Sequence, residues 1–446
     1  MWEFHLREIK DLELLGRQLD VSIDAQENVS ILAEPVKAGK LNIPNSLAVH
    51  PMEGCDSDSQ GGPGELTFRR YKRFASGGAG LIWFEATAVV PEARANPRQL
   101  WINENNRNSF AELVKTTRQA AVESMQKNHK PVLVLQLTHS GRYSKPEGVL
   151  CPIAAQLNPY LDAPGISDDS TIVSDDYLDK LQDSFVEAAE LAFEVGFDAV
   201  DIKSCHGYLI NELLGSYNRQ GKYGGSFENR TRFLLEVVGK IHNNLGNEAV
   251  VTTRLGVYDG IQYPYGWGVD ESEYSKPDLT EPKKLIKLLQ QRGINLINIT
   301  LANPYYNPYI SRPYNNQSDD GHEEHEHPLI GVNRFVTLTG EIQKSFPDIA
   351  IIGTGYSWLR TLFANVAAAK KTNGHITMAG MGRMAIAYPD FAKDIISNGK
   401  MNPEKVCVCC GACTQIMRNG GTTGCVVRDK EIYGTIFEKC QNKLTD

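Results

Sequence analysis

The stretch Asp198-Ala-Val-Asp-Ile202, followed at once by Lys203-Ser-Cys-His206-Gly-Tyr208-Leu-Ile-Asn-Glu-Leu-Leu, decides how this chain is read. Its first half is a short apolar run that predicts a strand, and its second half sets a cation, an imidazole and a phenol just past the strand's carboxyl end. Lys203 and His206 are suited to polarising a carbonyl oxygen, and Tyr208 to supplying or removing a proton. Any one of the three alone reads as a satisfied polar group beneath a loop. Together, and followed by the glycine-rich Tyr223-Gly-Gly-Ser-Phe-Glu-Asn-Arg230-Thr-Arg232-Phe233, they point to a site.

Outward from this stretch, apolar runs recur with helical stretches between them: Leu47 to Met52, Leu81 to Glu85, Val132 to Leu137, Ala199 to Ile202, Val250 to Arg254, Leu296 to Thr300, Ile349 to Gly353 and Ile376 to Ala379. The clearest helix lies between the third and fourth runs. It carries Leu178, Leu181, Phe185, Ala188, Ala192 and Val195 on one stripe, Ser174 as N-cap and Gly196 at its end. Eight such units imply an α/β fold, a (β/α)8 TIM barrel with its chemistry on the loops at the carboxyl ends of the strands. A doubly wound sheet is the competing fold, but the Gly-x-Gly-x-x-Gly it would place after an early strand is missing. Gly353-Thr-Gly355 follows the seventh run and Gly380-Met-Gly382-Arg383 the eighth, where barrels often bind phosphate. Backbone N–H groups can approach an anion there, with Arg383 adding charge. Ordinary turn glycines are the alternative. Two long connections, from Leu255 to about Leu279 and from Leu301 to about Val332, are expected to overhang the same face. The second holds His322-Glu-Glu-His325-Glu-His327, whose spacing does not match His-Glu-x-x-His; it is assigned no metal.

The 446 residues, 41% hydrophobic and 22% charged, are those of a globular protein, and the formal net charge of -8 argues against a general nucleic-acid or anionic-membrane surface. No amino-terminal signal core and no bilayer-length apolar run is evident, so a cytoplasmic location is expected. Nine cysteines are unevenly spread, six of them between Cys407 and Cys440, which suggests a metal or redox site more than a disulfide framework. The expected division is a barrel over 1–395 and a cysteine-rich extension over 396–446. In the extension, Cys407, Cys410, Cys413 and Cys425 supply the four thiolates that a [4Fe-4S] cluster needs. Zinc would accept the same ligands, and Cys409 is an extra thiol that might replace one of them.

The Lys203 to Tyr208 segment and the Tyr-Gly-Gly-Ser...Asn-Arg...Arg-Phe run resemble the Old Yellow Enzyme family of FMN-dependent NADH:flavin oxidoreductases. The resemblance covers about Ile43 to Phe391, and the cysteine spacing is similar to that of the 2,4-dienoyl-CoA reductase and trimethylamine dehydrogenase branch. It implies an FMN whose ring meets Pro51, Met52 and Ala86, with Gln136 at the pyrimidine edge and Arg254 beside N1 and O2. Gly353, Gly355, Gly382 and Arg383 would then hold the phosphate. It also implies reduction of the C=C bond of a small α,β-unsaturated carbonyl or enoyl thioester. Hydride from flavin N5 would reach the β-carbon, Lys203 and His206 would stabilise the enolate, and Tyr208 would protonate the α-carbon. The family commonly has histidine where Lys203 stands. Members of that branch continue into FAD and pyridine-nucleotide domains, so ending at Asp446 leads to an expectation of NAD(P)H or a separate electron-transfer protein as redox partner. Amine dehydrogenation is disfavoured, since Glu53 follows Met52 and the nearest cysteine is Cys55. An oxidative dehydrogenase or demethylase passing electrons out through the cluster, or an electron-transfer subunit, are the alternatives.

Overall fold

A computed structural model describes residues 4–125, 129–315 and 326–442. Eight parallel strands close into a barrel. They are β1 (Leu47–Val49), β2 (Leu81–Ala88), β3 (Val132–Thr138), β4 (Ala199–Ile202), β5 (Val251–Gly256), β6 (Leu296–Thr300), β7 (Ala350–Gly353) and β8 (Met378–Met381). Every residue of every strand is buried, as expected of a sheet covered on both faces. The helices that follow them in turn are α1 (Glu65–Ser76), α2 (Arg107–Met125), α3 (Asp175–Glu194), α4 (Phe227–Leu245), α5 (Thr280–Gln291), α6 (Pro328–Ser345), α7 (Phe363–Thr372) and α8 (Phe391–Asn398). The expected barrel is present, and all eight anticipated runs become its strands.

Both boundaries differ at β8, which begins at Met378 and runs through Gly380 to Met381, pairing Gly380 with Ala48 and Met381 with Val49. A glycine weakens a strand pattern, which is why the expected run stopped short of it. Its presence has a local cause: a Cβ at Gly380 would lie 2.3 Å from the His50 imidazole. Helix α3 forms as its pattern requires. The Ser174 hydroxyl accepts from the Tyr177 backbone N–H, Leu178, Leu181, Phe185, Ala188 and Ala192 are buried, and Gly196 takes a φ of 101°.

Two apolar layers result. One lies between strands and helices; the other fills the barrel's amino-terminal end with Leu81, Trp83, Val134, Leu296 and Ile352. A hairpin of Val36–Ala38 and Leu41–Ile43 plugs this end through Val36, Leu41 and Ile43. The carboxyl end stays open for side chains from the loops. The glycine-rich segment before α4 is a brace and not part of this mouth. Arg230 donates to the carbonyls of Leu214 and Gly225 and to Glu281, while the Tyr223 phenol donates to Asp179.

Residues beyond α8 fold back over the mouth as a roof. Thr423 N–H donates to the Gly54 carbonyl, Arg98 to the Gly420 and Gly421 carbonyls, and Arg312 to the Thr414 hydroxyl. Arg69 and Arg73 of α1 both grip Asp429. Of the histidine-rich loop, His322 and His325 lie outside the described residues. His327 caps α6 by accepting from the Leu329 N–H.

The loop after β1 is set by a buried ion cluster. Arg70 of α1 donates to both Asp56 and Glu85, and the second Glu85 oxygen accepts from the Gly54 N–H at 2.6 Å. Burial raises the Glu85 carboxyl to about 7 against the pull of Arg70. Removing Arg70 would strand two buried carboxylates. Arg70→Met is therefore expected to destabilise the protein by about 3–5 kcal/mol, measured as a lower urea midpoint.

Candidate active site

A cavity of ≈ 210 Å³ opens at the carboxyl ends of the strands. Every barrel strand except β2 sends residues to it, directly or through its following loop. His50, Pro51, Met52 and Glu53 come after β1, Gln136 from β3, and Lys203, His206 and Tyr208 after β4. Arg254 comes from β5, Thr300 from β6, Thr354 and Gly355 after β7, and Gly380, Gly382 and Arg383 from the end of β8. Tyr305 overhangs from the loop after β6, and Cys413, Thr414, Met417 and Thr423 come from the roof. Of the residues expected to hold a cofactor, Pro51, Met52, Gln136, Arg254, Gly355, Gly382 and Arg383 line this cavity. Ala86 and Gly353 do not. Ala86 is buried, its carbonyl accepting from Gln99, and Gly353 lies within β7 packed against the Tyr356 phenol.

The floor is fixed by Asp201, which points into the barrel from β4. The Trp83 indole N–H (2.7 Å) and the Gln136 amide N–H (2.5 Å) donate to one oxygen, and the Arg254 backbone N–H (2.7 Å) donates to the other. Burial still raises the carboxyl to about 6. Because the Gln136 amide nitrogen is committed to Asp201, its carbonyl oxygen remains for a donor such as a ring N–H. Arg254 is a buried cation and Arg383 a half-buried one, and the buried Nε of Arg254 and Nη1 of Arg383 have no partner, nor has Nε2 of His50. Three unpartnered buried nitrogens along one cavity call for a polar ligand. Gly355 has a φ of 90°, and a Cβ at Gly382 would lie 2.8 Å from the Met52 sulfur, so both positions in this wall require glycine. An acceptor-rich, planar, phosphorylated cofactor such as FMN fits this donor set.

The three residues expected to be catalytic, Lys203, His206 and Tyr208, are brought together, with pairings the sequence did not show. Lys203 Nζ lies 3.4 Å from the Glu53 carboxylate and 3.5 Å from the centroid of the Tyr208 ring. The Tyr208 phenol donates to Glu53 at 2.9 Å and meets the Tyr305 hydroxyl at 3.3 Å. His206 adopts a φ of 66°, and its Nε2 lies 3.2 Å from the Thr300 hydroxyl. Burial lowers His206 well below the ordinary imidazole range, helped by Arg254 and Lys203, so it is neutral. Burial also lowers Lys203, opposed by Glu53. Tyr208 is raised well above the usual phenol range by burial and then by Glu53, so its proton is retained. Glu53, His50, Asp201 and Tyr305 were not foreseen. A carboxylate inside the apolar Ala-Val-Asp-Ile run, and a glutamate next to the Pro51-Met52 strand end, were the available signals.

Beside this cavity, Cys407, Cys409, Cys410, Cys413 and Cys425 line a second, smaller one; Cys413 and Arg383 belong to both walls. Among the described residues no three Cys, His, Asp or Glu side chains converge as a single metal ion requires. Nor is any described helix long and apolar enough to cross a membrane.

Residues 31–363 match the model of the NADH:flavin oxidoreductase / NADH oxidase family. An NADPH dehydrogenase of Geobacillus thermodenitrificans is 29% identical over 278 residues, covering 61% of this chain and 73% of its own. A cinnamate reductase of Clostridium sporogenes is 26% identical over 426 residues, covering 92% of this chain, which spans only 60% of that protein's length. Among solved structures, a 2-naphthoyl-CoA reductase in complex with 2-naphthoyl-CoA superposes with a TM-score of 0.71 at 18% identity, over 92% of this chain and 58% of that one.

Because Asp201 orients Gln136, Asp201→Asn turns an acceptor into a group that competes with the N–H donors around it. The expected result is FMN affinity lowered by about tenfold, consistent with loss of one charge-assisted hydrogen bond, measured by fluorescence titration of the apoprotein.

Proposed function

Since this chain belongs to the NADH:flavin oxidoreductase / NADH oxidase family and is an FMN-dependent oxidoreductase, we propose that it reduces the C=C bond of an α,β-unsaturated carbonyl or enoyl thioester. The observation that carries this reading is Tyr208: a buried, protonated phenol in the same cavity as the flavin-fitting cations, beside Lys203 and a neutral His206. Bound FMN supplies the hydride. The chain's residues do the rest. Arg254 and Arg383 would bring positive charge to the cofactor, and Gln136 would present its carbonyl oxygen to an N–H. His206 and Lys203 can donate to a carbonyl oxygen and favour the enolate over the ground state. Tyr208 then gives its proton to the α-carbon, and the ammonium over its ring stabilises the phenolate left behind. Roof residues Thr414 and Met417, with Tyr305, line the cavity around this step. The cinnamate reductase relative is named for an unsaturated acyl substrate, and the NADPH dehydrogenases for a nicotinamide reductant; NADH or NADPH is accordingly the first donor to try.

For the cysteines, we propose that Cys407, Cys410, Cys413 and Cys425 hold a [4Fe-4S] cluster, making residues 396–446 a redox unit beside the barrel of 1–395. What supports this reading is that all four thiols line one small cavity beside the flavin site, and zinc is the alternative for the same ligands. Cys413, in both walls, favours a second reading: an oxidative dehydrogenase or an electron-transfer subunit exchanging electrons with a separate protein.

Steady-state assays with a panel of enones and enoyl-CoAs, comparing NADH, NADPH and reduced ferredoxin, test the reaction. Tyr208→Phe is expected to slow alkene reduction by about 10²- to 10⁴-fold while flavin reduction is preserved. Equal losses in both half-reactions would assign the phenol to flavin binding. Protein purified anaerobically is expected to contain iron and acid-labile sulfide and to give an EPR signal after dithionite. Stoichiometric zinc without iron would end the cluster assignment.

A further inference from the structure

Glu53 lies in the loop after β1, held there by the Arg70–Glu85 cluster acting through the Gly54 N–H. Its side chain is 16% exposed and lines the cavity, whereas Tyr208 is 2% exposed. The carboxylate thus touches both solvent and the buried phenol. The groups facing that phenol are Glu53 from the β1 loop, Lys203 from the end of β4, Tyr305 from the loop after β6, and Tyr143 from the loop after β3, whose ring centroid is 6.3 Å away. Lys203 bridges the two acids, near the carboxylate and over the ring.

We propose that Glu53 is a proton relay, holding and returning the proton of Tyr208; its part in turnover rests on the alkene-reduction reading above. A phenol so buried has no direct route to bulk water once it has given up its proton. The steps balance as follows. The Tyr208 O–H bond breaks as a C–H bond forms at the α-carbon, and the enolate's negative charge passes to the phenolate oxygen. The O–H bond of protonated Glu53 then breaks as the phenol O–H re-forms. The carboxylate takes its next proton from hydronium at the mouth. Transfer from a carboxylic acid to a phenolate runs downhill by about six pKa units for unperturbed groups. In the resting arrangement the phenol donates its hydrogen bond to Glu53; protonating Glu53 reverses that bond and frees the phenol hydrogen for substrate. Tyr305 is the competing route, more exposed at 37% but farther away, and itself only a phenol.

Two measurements test the relay on the FMN-loaded protein. With fluorotyrosine in place of Tyr208, fluorine NMR is expected to show a pH-dependent shift of that resonance, and Glu53→Gln should abolish it. An identical shift in both proteins would overturn the relay whatever the substrate. In stopped-flow half-reactions, Glu53→Gln is expected to slow alkene reduction by about 10²-fold with flavin reduction preserved, and Glu53→Ala to regain rate with added formate or acetate. Equal loss in both half-reactions, or a loss reproduced by Tyr305→Phe and not by Glu53→Gln, would overturn it. If the wild type reduces no alkene while the resonance still depends on Glu53, the assigned reaction fails and the proton coupling stands.

Discussion

Asp201 is the constraint around which the catalytic end of the barrel is arranged. One carboxylate on β4 accepts from Trp83 on β2, Gln136 on β3 and the backbone of Arg254 on β5, so four of the eight strands are registered against a single charge. Its three donors repay part of the cost of burying it. In return, two side chains that face the cavity have fixed heights and directions. Rigid elements with locked second contacts are what a site needs if a reacting atom is to be placed within a fraction of an ångström.

Above that floor, charge is arranged in layers. The unpartnered nitrogens of Arg254 and Arg383 lie along the cavity wall, where the proposed flavin and its phosphate would meet them. Over them, Lys203 is neutralised by Glu53 and aimed at the Tyr208 ring, so the region that would receive substrate has a positive charge ready but balanced. The roof adds sulfur. Since Cys413 helps to wall both cavities, any redox centre among the cysteines would sit next to the flavin site.

Much of this was legible in the sequence. Eight buried strands read clearly because parallel barrels bury both strand faces and leave unbroken apolar runs. Lys203, His206 and Tyr208 could be expected at the barrel mouth, where they line the cavity, because they follow one such run. What could not be read was which groups pair. The bond from Tyr208 to Glu53 spans 155 residues, and no local pattern encodes it. Glycines were legible as loops but not as packing: Gly380 belongs to β8 because His50 occupies the space its side chain would need. Gly353 and Ala86 stood at strand ends, yet their backbones pack against Tyr356 and Gln99 and not against the cavity. Tyr223 to Arg232 looked like part of the site and is a brace, since arginine serves carbonyl clusters as readily as phosphate.

The roof has a consequence for how the protein is made. Its ties run from Asp429, Thr423 and Gly420 back to Arg69, Gly54 and Arg98, more than three hundred residues earlier in the chain. During synthesis the strands emerge first, and all eight can pair before the residues that cover them have left the ribosome. A barrel with an open, cation-lined mouth can therefore form before the roof is in place. That interval would offer a cofactor a wider entrance than the roofed cavity does.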